Sequence, residues 1–212
     1  MKKITILLIT AMFTLTTSAF AGGMIGVKIG KGDLEGTAKS YTAGGTTYGA
    51  ATGSKDNDFG AIFAEYNVME SPISVGLEYV PFDADVSLDG KSSGVSANVG
   101  DYTTLYALAM QPVNDDVSVY AKIGYSQADI GSIKNTDTLT TINSKSGELE
   151  GMMYGVGIQT QELAMGIVAR AEYTFTDFDD ISVTTTSNGS ASVTKTASGE
   201  LETFTFSIAK SF

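Results

Sequence analysis

The last ten residues read TFTFSIAKSF, and their alternation limits what the chain can become. Phe204, Phe206, Ile208 and Phe212 fall on one parity, while Thr203, Thr205, Ser207, Ala209 and Ser211 fall on the other. A period of two is a strand with unlike faces. The same pattern recurs seven times earlier: GMIGVKIGKG (Ile25, Val27, Ile29), DFGAIFAEYNV (Ile62, Ala64, Tyr66, Val68), ISVGLEYVPF (Ile73, Val75, Leu77, Tyr79), DYTTLYALAMQ (Tyr102, Tyr106, Leu108, Met110), DVSVYAKIGYS (Val117, Val119, Ala121, Ile123, Tyr125), LEGMMYGVGIQ (Met152, Tyr154, Val156, Ile158) and LAMGIVARAEYTF (Leu163, Met165, Ile167, Ala169, Ala171, Tyr173, Phe175). Each segment is close to the ~10 residues that a tilted strand needs to cross a bilayer.

The connections alternate in length. MESP, PVND and TQE are short, and Asn114-Asp115 suits a tight hairpin. Residues 31–57, 84–100, 129–148 and 177–199 are long, rich in Gly, Ser, Thr and Asp, and read as solvated loops. Within the last of these, Thr and Val enrichment allows the hairpin to continue, with Asn188-Gly189 as its turn. Short connections on one side and long ones on the other fit an up-and-down membrane barrel with both termini on the short side. Pro81 lacks a ladder donor, so the third strand is expected to end or bulge there.

Alternation alone does not separate a membrane barrel from a soluble, ligand-binding barrel. The opposite face decides. It carries Gly26, Gly30, Ala61, Gly76, Ala107, Ala109, Gly124, Gly155, Gly157, Gly166, Ser207 and Ala209. Small residues suit the crowded interior of a narrow barrel, which leaves the apolar face for lipid. Tyr79, Tyr102, Tyr106, Tyr125, Tyr154, Tyr173 and Phe204 are then expected to form an aromatic girdle near the long connections, with Tyr66 and Phe212 near the other interface. A soluble periplasmic binding barrel is the competing architecture.

Composition narrows the function. The 212 residues carry a net charge of −11, which disfavours nucleic acid. With no cysteine there is no disulfide, thiolate metal site or cysteine-linked lipid anchor. Lys2 and Lys3 followed by ITILLITAMFTL and SAFA form an export signal over residues 1–21, with Ala19 and Ala21 as the small-x-small cleavage site. Residues 22–212 are then the mature barrel domain.

The export signal, the eight alternating segments and the terminal Phe212 together resemble the small outer-membrane barrels of Gram-negative bacteria, of the OmpA/OmpX-like or opacity type. That resemblance covers about the whole mature chain. It implies an all-β fold, an eight-stranded antiparallel transmembrane barrel in the outer membrane, with loops outward and termini in the periplasm. It implies contact with outer-membrane lipids and lipopolysaccharide. Unlike full-length OmpA proteins, this chain is expected to carry no peptidoglycan-binding domain after the barrel. The resemblance also implies that Phe204, Phe206, Ile208 and Phe212 form the signal read by the barrel assembly machinery. Lys210 departs from the usual apolar residue near the end and is expected to snorkel to headgroups.

Six charges fall on the lumen parity: Lys28, Glu65, Glu78, Lys122, Arg170 and Glu172. Lone charges in a narrow lumen are costly, so these are expected to pair, with Glu78, Lys122 and Arg170 at similar depth. The favoured reading is a static polar plug. The alternative is a narrow channel gated by re-pairing of these charges, as proposed for OmpA barrels. The known barrel enzymes use a histidine, and this chain has none, so no catalytic set and no cofactor are expected. Asp83, Asp85 and Asp89, and Asp177, Asp179 and Asp180, lack calcium-loop spacing and read as a solvated acidic rim. The role is therefore expected to be structural or surface-interactive, with the partner of the loops unknown.

Overall fold

The structure is a computed structural model that describes residues 22–43, 45–68, 71–81, 84–90, 93–135, 140–142, 147–187 and 192–212. The expected export signal with Ala19 and Ala21, and the expected turn at Asn188-Gly189, lie outside them. In chain order the strands are β1 (Gly23–Ala38), β2 (Tyr41–Ala43), β3 (Thr46–Tyr48), β4 (Ala51–Asn67), β5 (Ile73–Val80), β6 (Ala84–Gly90), β7 (Ser93–Pro112), β8 (Val117–Asn135), β9 (Thr140–Ile142), β10 (Gly147–Thr160), β11 (Ile167–Ser187) and β12 (Ser192–Ser211).

Eight of them close a ring, with each pair antiparallel: β1, β4, β5, β7, β8, β10, β11, β12 and back to β1. Closure removes the free edges that a flat sheet would leave unpaired. At the seam, Phe212 N donates to Gly23 O and Gly22 N donates to Phe212 O, at 3.0 and 2.9 Å, so the terminal Phe is held against the start of β1.

Pro81 ends β5 at Val80, as its missing donor requires, and the stave resumes as β6. Across from it, β7 carries an extra residue where Gly100 faces Asp129 but Thr103 faces Gln127. Asp101 takes a positive φ of 50° in this bulge and accepts a hydrogen bond from Tyr79 Oη at 2.6 Å. The break in one stave is thus matched by a bulge in its neighbour.

Three expectations are corrected. First, the earlier long connections, expected as loops, are largely strand: β1 and β4 stay paired up to Ala38 and Ala51, and β6 pairs with β7 from Ala84 to Gly90. In the last connection the expected continuation of the hairpin is present, with β11 and β12 paired up to Thr186 and Ser192. Beyond the membrane both faces are wet, so the hydropathy alternation disappears while the hydrogen-bonded ladder continues. Second, β11 begins at Ile167; Leu163 and Met165 sit in the turn before it, where Met165 and Gly166 take left-handed φ values of 67° and 72°. Third, the two faces of β7 are exchanged. Leu105 is on the outside at 63 % exposure, with Ala107 and Ala109 beside it, whereas Tyr106 and Leu108 are buried inside. Tyr102 also turns inward, so neither tyrosine belongs to the girdle.

The other staves place their apolar sets outward. Val27, Ile29, Val75, Leu77, Ile123, Val156, Ile158, Phe206 and Ile208 are exposed, while Lys28, Glu65, Glu78, Lys122, Arg170 and Glu172 are buried. Tyr125, Tyr154, Tyr173 and Phe204 stand at the upper limit of this belt. A surface apolar all round and a charged interior is the arrangement of a barrel in lipid.

Candidate functional site in the barrel lumen

The inward side chains of β11 lay out the lumen from the short-turn end to the long-connection end: Arg170, Glu172, Thr174, Thr176, Phe178. Arg170 and Glu172 each mark a tier, Thr174 and Thr176 share a third, and the neighbouring strands complete them.

The first tier is a clamp. Arg170 Nη1 and Nη2 donate to Glu65 Oε1 and Oε2 at 2.8 and 2.5 Å, a bidentate pair, and Nε donates to Gln159 Oε1. Tyr106 Oη donates to the same carboxylate at 3.2 Å. The guanidinium lies between the Phe63 and Tyr120 rings, 5.5 and 5.3 Å from their centres.

The second tier is a closed cycle of four charges. Lys28 Nζ is 2.6 Å from Glu78 and 2.6 Å from Glu172, and Lys122 Nζ is 3.1 and 3.2 Å from the same two carboxylates. Tyr120 Oη donates to Glu172 at 2.9 Å, and the Lys122 ammonium sits 3.8 Å from the Tyr106 ring centre. All six residues expected in the lumen are therefore inside it and buried. They divide differently from the expected depths: Arg170 joins Glu65 one rung nearer the short turns, and Glu78 and Lys122 belong with Lys28 and Glu172. Three positive and three negative charges cancel. Among the described residues no buried side-chain nitrogen or oxygen lacks a partner, which is the condition for keeping charges in a low-dielectric interior.

The third tier is made of hydroxyls. Tyr102 Oη donates to Ser126 at 2.9 Å and lies 3.3 Å from Thr176; Thr104 and Ser126 are 2.8 Å apart, and Thr174 and Thr203 are 2.6 Å apart. Beyond it come Phe178, Ala128 and Ile130, all buried.

The bulky fillers were not read from the sequence as lumen residues: Phe63, Tyr106, Leu108, Tyr120, Met153 and Phe178. A signal for them exists in the register. Tyr106 faces Gly76 and Gly124, Phe63 faces Gly26, Tyr120 faces Gly157, and Phe178 faces Gly151 and Gly199. A Cβ on Gly76 or Gly157 would overlap the tyrosine ring beside it. Glycine on one stave makes room for an aromatic side chain on the next.

The residues expected to guide assembly lie elsewhere. Phe204, Phe206 and Ile208 face outward, with the Phe204 and Phe206 rings edge to face at 5.0 Å. Lys210 Nζ donates to Met165 O and stands over the Phe212 ring. In the acidic rim Asp177, Asp179 and Asp180 are exposed, and Asp180 is paired with Lys39; Asp83 lies outside the described residues.

The outer membrane protein beta-barrel domain family matches residues 5–195. No curated protein matches the chain significantly. Among solved structures, the outer membrane protein OprG from Pseudomonas aeruginosa superposes with a TM-score of 0.62 at 13 % identity, covering 91 % of this chain and 97 % of that one. The outer membrane protein AlkL, determined in lipid bilayers, gives 0.56 at 14 % identity, covering 93 % and 94 %. Neisserial surface protein A gives 0.43 at 14 % identity, covering 91 % and 98 %. At these identities the first two speak for the fold alone. A closed eight-stave ring, an apolar outer belt, a neutralised ionic core and a family match over most of the chain agree: this chain is a bacterial outer-membrane β-barrel protein and belongs to the outer membrane protein beta-barrel domain family.

Proposed function

We propose that this protein has a structural or surface-interaction role in the outer membrane, with a lumen plugged by its own side chains. The observation that carries this reading is the ionic core: six buried charges that sum to zero, each held by at least one opposite charge, beneath a full hydroxyl tier. An eight-stranded barrel has an interior just wide enough for its side chains to fill. The long connections face outward and the termini lie in the periplasm, after removal of residues 1–21 behind Ala21. Lipids and lipopolysaccharide surround the belt, and the barrel assembly machinery reads Phe204, Phe206, Ile208 and Phe212 during insertion.

The second reading is a narrow gated channel. The cycle favours it to one degree: each carboxylate already has two lysines within reach, so partners can be exchanged. Single-channel recording of the refolded residues 22–212 in a planar bilayer separates the two, once a heat-dependent gel shift establishes folding. A silent bilayer is expected. Discrete openings that change in Arg170→Ala would replace the plug by the gated channel.

A further inference from the structure

The ion pairs do not fill the lumen alone. At the long-connection end Phe178 points inward at the last rung before β11 and β12 lose register, which shifts between Phe178 and Ile181. Glycines flank it on both sides, Gly151 on β10 and Gly199 on β12, so the ring has room to lie across the mouth. Its ring meets Tyr102 edge to face, centroids 6.4 Å apart at 78°, and the Tyr102 hydroxyl is tied below to Ser126 and Thr176. Ala128 and Ile130 on β8 point into the same level and are 1 % and 5 % exposed, although they stand at the mouth. An open mouth would wet them. Just past Phe178, the exposed Asp180 is latched to Lys39 beyond β1, which ties the irregular part of β11 to the opposite side of the β12 stave.

We propose that Phe178 is the permeability-determining residue of the long-connection mouth: with Tyr102 it forms an apolar seal that closes the lumen independently of the ionic tiers. Two seals of different chemistry then lie in series. The apolar one offers a passing ion no polar partner, and the ionic one offers no free volume. Loss of the Arg170–Glu65 clamp alone does not open a path, because Phe178 still stands above it. This rests on the plugged reading of the lumen and adds where the second barrier lies.

The chain has no cysteine, so one introduced thiol is a unique reporter. Ser126 lies directly beneath the seal and is fully buried, and Ser126→Cys changes one atom. The folded full mature chain in lipid vesicles is treated with a charged, membrane-impermeant methanethiosulfonate. S126C is expected to resist labelling, S126C with Phe178→Ala to label, and S126C with Arg170→Ala to resist. Phe178→Leu, which keeps an apolar filler if the alanine variant folds poorly, is expected to label more slowly than alanine and faster than phenylalanine. Labelling of S126C with Phe178 intact, or protection that survives Phe178→Ala in a folded barrel, overturns the seal. In planar bilayers Phe178→Ala and Arg170→Ala are each expected to be silent, because the four-charge cycle remains in both; openings in Arg170→Ala alone overturn the inference. Conductance by the unaltered chain would instead sink the plugged reading, whatever the thiol reports.

Discussion

The two ionic tiers use the same chemistry in different ways. In the clamp, Arg170 and Glu65 have each other, with neutral groups around them. In the cycle, Lys28, Glu78, Lys122 and Glu172 each touch two opposite charges. A pair is geometrically exact and has no reserve; a cycle spreads its contacts and keeps some partner when one member is lost. Buried charge is tolerated in both because every member is matched, but the consequence of a single deletion should differ.

Breaking the clamp on one side is the severest test. Glu65→Ala strands Arg170 in the lumen and is expected to cost about 3–5 kcal/mol, read as a lowered urea midpoint for the barrel in lipid vesicles. Within the cycle, Lys122→Met leaves Lys28 at 2.6 Å from both carboxylates, and the expected loss is smaller, about 1–3 kcal/mol. If the two variants unfold at the same midpoint, the distinction between pair and cycle is wrong. Tyr106→Phe removes one hydrogen bond to Glu65 while keeping the ring under Lys122, so about 1 kcal/mol should be lost. Removing both members of the clamp, as Glu65→Leu with Arg170→Met, should leave stability near that of the unaltered chain, since no uncompensated charge remains. Outside the barrel, the Lys31–Asp58 pair at 3.3 Å is 81 % exposed on both sides. Lys31→Ala should leave the midpoint unmoved, because water and salt already screen that pair.

Much of this arrangement could be read in advance, strand by strand. The parity of Lys28, Glu65, Glu78, Lys122, Arg170 and Glu172 places them inward, because lipid does not accept them and the apolar residues on the other parity need it. β7 was harder. Its two parities, Tyr102-Thr104-Tyr106-Leu108-Met110 and Thr103-Leu105-Ala107-Ala109, are both mostly apolar. Hydropathy favours the larger set for lipid, yet Tyr106 goes inside because Gly76 and Gly124 on the adjoining staves leave it space. That information lies about thirty residues before Tyr106 and eighteen after it, and it becomes usable only with the register. The upper parts of β1 and β4 carry no such signal: above the belt, Thr37 faces Thr52 and Glu35 faces Ser54, and a ladder wet on both faces has no alternation to detect, whereas the Thr and Val enrichment of residues 177–199 makes the longer β11–β12 hairpin legible.

By itself, then, the sequence determined the class of solution. Period-two segments of membrane length, with an apolar parity and a small or charged one, can satisfy their backbone groups in lipid only as a closed barrel. It also determined the charged part of the core, as charges that must cancel. What only the tertiary structure decided is who meets whom. Pairing Arg170 with Glu65 across 105 residues, and joining Lys28 to Glu172 across 144, depends on strand tilt and stagger around the ring. Those quantities belong to the closed barrel as a whole and to no segment of the chain.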